Sequence, residues 1–511
     1  MRNFKTINIL ALAILLALTA TSCRNSDKAD DEMNTNKVLL QIDNDPIVAY
    51  NIWFKVGSVN DPQGKEGLTY LTAEMMADAS TKSNDYSAIL EKMYPMATGY
   101  GAKVDKEMTT FRGRTHKDNL DEYNKLFMDA ILNPAFKEED FNRIKNNTLN
   151  YIKNVLRYSS DEELGKFALY NYVFEGTPYG HLMSGSVEGI ENITLEDVKQ
   201  HHKNYFNANN YTIGLGGGYP NELVDKIDTE LNKLQDTAIN TMVDITPKPI
   251  NGLEVLLVEK ENNSTAISFG FPIDVHRGDE DFFALALFSS WLGEHRNQSS
   301  HLFQVIRGAR GLNYGDYAYI ERFLNGGRLN KPNPNNARNN LLFEVWIRPV
   351  QHIHRHFALR AAMRELQKVV DNGMTEEQFE TTKNFLNKYS IHWAATTSER
   401  LGYQIDSEFY GIEDGGNYIN HFREKIRNLT LEQVNSAIKK HIQYNNVKIA
   451  MITSDAEQFK SDLVSNADSP IEYNSPKPDE VLEEDKEIST YKLDIKEENV
   501  TIVPVDEMFQ K

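Results

Sequence analysis

Three histidines, His352, His354 and His356, alternate in QHIHRHF, and two more, His201 and His202, are adjacent. Imidazoles are common zinc ligands, and a zinc held by protein side chains can turn its bound water into a nucleophile. Along an extended segment, however, alternate positions stand too far apart to close on one small ion. As an i,i+4 pair on a helix, His352 and His356 enclose only Ile, His and Arg, so no carboxylate is placed to act as a base. The expected reading is a surface or substrate-facing cluster. His201 and His202 fall on a predicted helix and point in different directions. The run Gly214-Leu-Gly-Gly-Gly218 lacks the Lys and Ser/Thr of a phosphate loop and reads as a turn after a strand. One cysteine, Cys23, permits neither an intramolecular disulfide nor a thiolate metal cluster.

The elements that would position such groups come in two copies. Ile193 to Asn210 (ITLEDVKQHHKNYFNANN) aligns without a gap to Leu429 to Asn446 (LTLEQVNSAIKKHIQYNN), and 236 positions separate the two starts. Thr194 and Thr430 are N-cap candidates, with Gln433 completing a capping box in the second copy. A second pair, FKEEDFNRIKN from Phe136 and MTEEQFETTKN from Met374, repeats at nearly the same spacing. A repeat of this kind decides the architecture: two units, 37–235 and 251–466, joined by a polar linker at 236–250. Strand-like runs (38–42, 48–56, 211–215, 252–258, 342–347 and 447–452) alternate with long helical runs such as 357–371. An α+β fold is therefore predicted, built from two homologous α/β-sandwich units that form a clamshell. Residues 467–511 read as an extended arm, in which Tyr491, Leu493 and Ile495 alternate like an edge strand.

With 511 residues, 40% hydrophobic and 25% charged, the chain lies in the globular range. Its 74 acidic side chains against 55 basic ones, a formal charge of -19, would repel a phosphate backbone, so nucleic acid is excluded as a partner. At the N-terminus, Arg2 and Lys5 precede an apolar stretch from Ile9 to Leu18 that is too short to span a bilayer, and residues 1–22 read as a signal peptide. The end of that stretch, Leu18-Thr-Ala-Thr-Ser-Cys23, resembles a bacterial lipoprotein cleavage box, although Ala20 stands where Leu is usual. The resemblance implies lipidation at Cys23 and a flexible tether over 23–36. It places the protein at the bacterial cell envelope, anchored to a membrane by an N-terminal lipid.

Near the start of the first unit runs Phe54-Lys-Val-Gly-Ser-Val-Asn-Asp-Pro-Gln-Gly-Lys-Glu-Gly-Leu-Thr-Tyr-Leu-Thr-Ala-Glu-Met75. It resembles the opening signature of the pitrilysin/insulinase zinc peptidases, the inverzincins that include mitochondrial processing peptidase and its bacterial relatives. Pro178-Tyr179-Gly180 and a G-x-x-E-x-I stretch at Gly185 to Ile190 extend the likeness. In that family an H-x-x-E-H helix holds Zn²⁺ and its Glu activates the bound water. Here Tyr70 stands at the first His, Ala73 at the base and Glu74 at the second His. The third ligand falls near Asn150, with no carboxylate from Leu149 to Asn154. No metal and no cofactor are expected in this chain.

The second unit carries Ser300-His-Leu-Phe-Gln-Val-Ile-Arg-Gly-Ala-Arg-Gly-Leu-Asn-Tyr314. It resembles the family element L-F-x-x-x-R-x-x-R-G-L-x-Y, whose arginine holds a substrate carbonyl oxygen and whose tyrosine donates to the oxyanion. By position these are Arg307 and Tyr314; the alternative is a plain turn with Tyr314 in the core. The resemblance implies the non-catalytic subunit of a heterodimeric zinc peptidase, acting on unfolded peptides with a zinc-bearing homologous partner. The alternatives are an inactive, stand-alone peptide-binding lipoprotein and a zinc endopeptidase that uses an unrecognised site.

Overall fold

The computed structural model describes residues 37–236, 243, 245–323 and 329–511. The signal peptide, the tether with Cys23 and part of the linker lie outside these residues.

The first unit holds strands β1 (Lys37–Gln41), β2 (Ile47–Phe54), β3 (Gly99–Val104), β4 (Thr109–His116) and β5 (Tyr211–Gly217). Its helices are α1 (Leu68–Ala77), α2 (Tyr86–Met93), α3 (Leu120–Leu132), α4 (Glu138–Asn150), α5 (Asp161–Val173), α6 (Val187–Asn192), α7 (Leu195–Tyr205) and α8 (Asn221–Leu231). In the second unit the strands are β6 (Leu253–Glu259), β7 (Ser264–Ile273), β8 (Asp316–Tyr319), β9 (Leu341–Gln351) and β10 (Val447–Thr453). Its helices are α9 (Glu280–Gly293), α10 (Arg355–Asn372), α11 (Glu376–Tyr389), α12 (Thr397–Tyr410), α13 (Tyr418–Asn428), α14 (Leu431–His441) and α15 (Ala456–Val464). The C-terminal arm adds α16 (Asp479–Ser489) and β11 (Val500–Pro504).

The two sheets have one topology. The first runs β1-β5-β2-β4-β3 and the second β6-β10-β7-β9-β8, with β11 added in parallel on the outer side of β6. The repeated segments form matching helices: α7 and α14 each start behind a threonine cap closed by a capping box, and Asp197 completes the box in the first copy as Gln433 does in the second.

The units interlock by exchanging helices. α5 lies on β7 and β10 of the second sheet, while α12 lies on β2 and β5 of the first. Asp161 and Thr397, which begin these helices, are again 236 positions apart. The core consequently runs across both units: Leu164, Ala168 and Leu169 of α5 pack with Leu256, Ala266 and Ile452. On the other side, Trp53 and Met108 pack with Ile405. Burial on this scale, about 25 cal/mol per Å² of apolar surface, holds residues 38–511 as one compact unit.

This interlock overturns the reading of the glycine run as a turn. Gly214, Gly216 and Gly217 belong to β5. A Cβ at Gly214 would come within 2.6 Å of Asn51 O and 3.1 Å of Ile405 Cδ1, and one at Gly216 within 3.0 Å of Thr397 Cγ2. The glycines let the exchanged helix approach the strand closely.

The arm also departs from expectation, because it is not extended throughout. It contains α16, and its edge strand is Val500–Pro504, not 491–495. Asp494 interrupts the earlier stretch with φ of 51°, while Leu493 and Ile495 are buried. Beyond β11 the chain crosses to the first unit, where Met508 and Phe509 enter its core and Met508 O accepts Arg157 Nε at 2.9 Å.

Candidate functional site

The helix that would carry the zinc motif is anchored as the flanking residues predict. Asp61 caps α1, accepting Gly67 N at 2.7 Å and both Thr69 N and Thr69 Oγ1 at 2.7 Å. Thr69 Oγ1 also meets His201 Nε2 at 2.9 Å, which joins α1 to α7. Gly67 has φ of 104°, and a side chain there would strike Ser184 O and the Gly185 backbone. Gly67 is thus required by close packing, independently of any metal.

On this intact scaffold the chemistry is replaced. Tyr70 and Glu74 lie partly buried one turn apart on α1, and Ala73 is fully buried in the core beneath the sheet. Asp78 follows Glu74 one turn later. Arg143 of α4 reaches in, donating to Asp78 Oδ2 at 2.8 Å and stacking 4.8 Å above the ring of Tyr86, whose hydroxyl also binds Asp78. A guanidinium thus ties the C-terminal end of α1 to α4. Asn150 ends α4 on the solvent side, with its Oδ1 accepting Asn154 Nδ2 at 2.8 Å. After it the backbone widens into a π-helix over Tyr151–Leu156. Glu74 is the sole charged ligand among the three family positions, against the three ligands plus water of catalytic zinc, so these residues do not fit the metal. Among the described residues no group of three or more His, Cys, Asp or Glu could hold an ion.

Burial, and secondarily the charge of Asp78, push the Glu74 carboxyl up to about 7, with Arg143 pulling the other way. An unfolded Glu titrates near 4.3. Because the folded value is the higher one, the stability linked to this group is fully present below about pH 4 and is lost as pH rises through about 7. Glu74→Gln is expected to flatten that decline, read as the difference between urea midpoints at pH 5 and pH 7.5.

The histidines are structural. His352 and His354 belong to a short 3₁₀ turn, and His352 is engaged on both nitrogens, with Thr265 Oγ1 and Asn262 O each at 2.9 Å. His356, expected at the surface, is buried on α10 against Phe459. His201 and His202 do diverge, the first toward Thr69 and the second to a place beside Phe136 at 5.1 Å.

The second element is open. Arg307 lies in a π-helix over Phe303–Gly308, anchored below by buried Leu302 and Ile306. Tyr314 is 74% exposed, which rules out the core alternative, and the Arg307 guanidinium sits 5.0 Å from its ring centroid. The loop beneath is clamped by Asn313, whose Nδ2 donates to Asp316 Oδ1 at 2.6 Å and to Arg348 O at 3.2 Å. Asp316 is itself fully buried, and burial drives its carboxyl well above the usual range. Sequence reasoning missed these supports, together with Arg310. A second arginine in the motif signalled a need for acidic partners, but those partners lie 174 and 175 positions away.

Residues 37–183 match the profile of the insulinase family, peptidase family M16, and residues 192–386 match that of the peptidase M16 inactive domain. The chain therefore belongs to peptidase family M16. A Helicobacter pylori protein named non-peptidase homolog YmxG is 20% identical over 460 residues, 88% of this chain and 98% of that protein. An uncharacterized zinc protease of Rickettsia bellii is 26% identical over 281 residues, 55% of this chain and 66% of its own length. Among solved structures, a peptidase M16 inactive domain from Pseudomonas fluorescens superimposes with a TM-score of 0.71 at 20% identity, covering 82% of this chain and 95% of that one. A protease from Helicobacter pylori gives 0.70 at 17% identity, covering 82% and 96%. This chain is a peptidase-like member of the inactive type.

Proposed function

We propose that this chain is the non-catalytic subunit of a heterodimeric zinc peptidase, lending Arg307 and Tyr314 to a zinc site held by a homologous partner. One observation carries the reading. The helix at the zinc-motif position keeps at most one ligand and ends in an Arg143–Asp78–Tyr86 network, whereas Tyr314 is exposed with the Arg307 guanidinium beside its ring. In this role the Tyr314 hydroxyl donates to the oxyanion of the tetrahedral intermediate, and Arg307 holds a carbonyl oxygen of the bound peptide. The peptide is extended and unfolded, and pairs with a free sheet edge such as β3. The excess of acidic side chains favours encounter with basic peptides at low salt. A lipid on Cys23 holds the assembly to the cell envelope.

The test is reconstitution. The chain, expressed without its leader, is mixed with a homologous chain that keeps an intact H-x-x-E-H helix, and an unstructured fluorogenic peptide is supplied. Each chain alone is expected to be nearly inactive and the mixture active, with zinc confined to the partner on metal analysis of the separated subunits. A mixture no more active than the partner alone would point to a stand-alone peptide-binding protein. Zinc and activity in this chain by itself would mean a site of another kind.

A further inference from the structure

The backbone that carries Arg307 is unusual, because its wide i→i+5 turns are rare and occur mainly at functional sites. Its end is closed by Arg310, just beyond it, and by groups of the C-terminal arm. Arg310, 4% exposed, donates from Nη1 to Val305 O at 2.8 Å. The rest of its guanidinium is held by α16: Nε donates to Asp485 Oδ1 at 2.7 Å and Nη2 to Glu484 Oε2 at 2.8 Å. Lys477, just before α16, donates to Ala309 O at 2.6 Å. Ala309 O is thus satisfied by the arm itself, and Val305 O by Arg310, whose guanidinium the arm holds.

α16 is itself fixed in place. Fully buried Arg360 donates from Nη1 to Ala467 O and Ser469 Oγ, each at 2.9 Å, and also to Ser489 O. One guanidinium therefore pins the chain at both ends of the segment that contains α16. Tyr473 OH donates to the second Asp485 oxygen at 2.8 Å, and Arg364 binds Glu484 Oε1 at 2.9 Å. Each acidic group facing Arg310 is aimed by a second partner.

We infer that the C-terminal arm is the positioning element of the Arg307/Tyr314 pair, and that Arg310 and Asp485 are the positioning residues through which it acts. The inference deepens the subunit reading and rests on it for the meaning of the pair, but its structural content can be measured separately. Loss of the Asp485 carboxylate removes a charge-assisted hydrogen bond from a buried guanidinium, an interaction of the stronger class. The π-helix then opens more often.

In the full chain with Asp485→Asn, amide hydrogen exchange over residues 303–314 is expected to speed up about tenfold or more, with α3 and α8 of the first unit unchanged. In the reconstituted heterodimer the same variant is expected to lower kcat about tenfold and to raise KM, because both members of the pair are displaced, while Asp485→Glu retains most of the activity. Should Asp485→Asn fold poorly, Lys477→Met and Tyr473→Phe probe the same contacts more gently, and smaller increases in the same amides are expected. Unchanged exchange over 303–314 in all three variants overturns the inference, as does an equal rise throughout the second unit. The subunit reading fails by a different result, full activity of the mixture with Arg307→Ala, so the two can fall independently.

Discussion

In the reconstituted heterodimer, Tyr314→Phe is expected to lower kcat by about 10²- to 10³-fold, the usual cost of removing one oxyanion donor. The phenyl ring keeps the shape and the stacking surface for Arg307, and only the donor is lost. KM should change little, because the hydroxyl engages an oxygen that carries full charge only in the transition state. Arg307→Ala differs in kind. A guanidinium that holds a ground-state carbonyl contributes to binding, so that variant should raise KM as well as lower kcat. The stability of the isolated subunit should hardly move in either case, since Tyr314 is mostly exposed and Arg307 has the ring of Tyr314 beside it. Full activity in both variants would remove the basis for trans-catalysis.

Asp105→Ala is expected to destabilise the chain by about 3–5 kcal/mol, the range for leaving a buried ion without its partner. Asp105 is 0% exposed in the β3–β4 turn of the first unit, and it receives Arg322 and Arg338 from the second. Those two arginines, followed by Lys103, draw its carboxyl well below the ordinary range against the effect of burial. Arg338 is 1% exposed, and without Asp105 it would be left against uncharged groups such as the ring of Tyr170 at 4.8 Å and Met183 Sδ at 3.8 Å. The folded value is the lower one here, so this stability is present above about pH 4 and disappears as pH falls through the folded pKa. Urea unfolding of the Ala variant at pH 7 reads the loss. A change below about 1 kcal/mol would mean that solvent enters the junction and relieves the charges.

Much of the fold was legible because repetition and periodicity are local properties. The 236-residue repeat announced two units, and the threonine caps at 194 and 430 marked helix starts that the structure reproduces. The site was legible in part through the likeness to the family's motif, which set Tyr70, Ala73 and Glu74 at the ligand and base positions. The ion pair at the end of that helix was not. Arg143 is an ordinary charged residue in a helical run, and nothing nearby in sequence says that it will face Asp78 across two helices. The glycine run was misread because a turn and a close helix–strand contact ask for the same residue. The deciding contacts, Ile405 and Thr397, are nearly two hundred positions away. The edge strand of the arm was placed too early because alternation in 491–495 reflects burial of Leu493 and Ile495 without any strand pairing.

Residue types and their order by themselves determined the duplication and the α+β class, since a repeated segment and a run of alternating or helical apolar positions are visible without the fold; likeness to the family's motifs marked Tyr70, Ala73, Glu74 and Asn150 as degenerate positions and Arg307 and Tyr314 as the pair. Only the tertiary structure decided that the units exchange helices, that Arg143 ties Asp78 at the end of the degenerate helix, and that α16 braces the Arg307 π-helix. Those outcomes are set by which buried charge finds which partner. A buried arginine demands an acid, but only the packed fold determines that Asp105 meets Arg338 and that Asp485 meets Arg310.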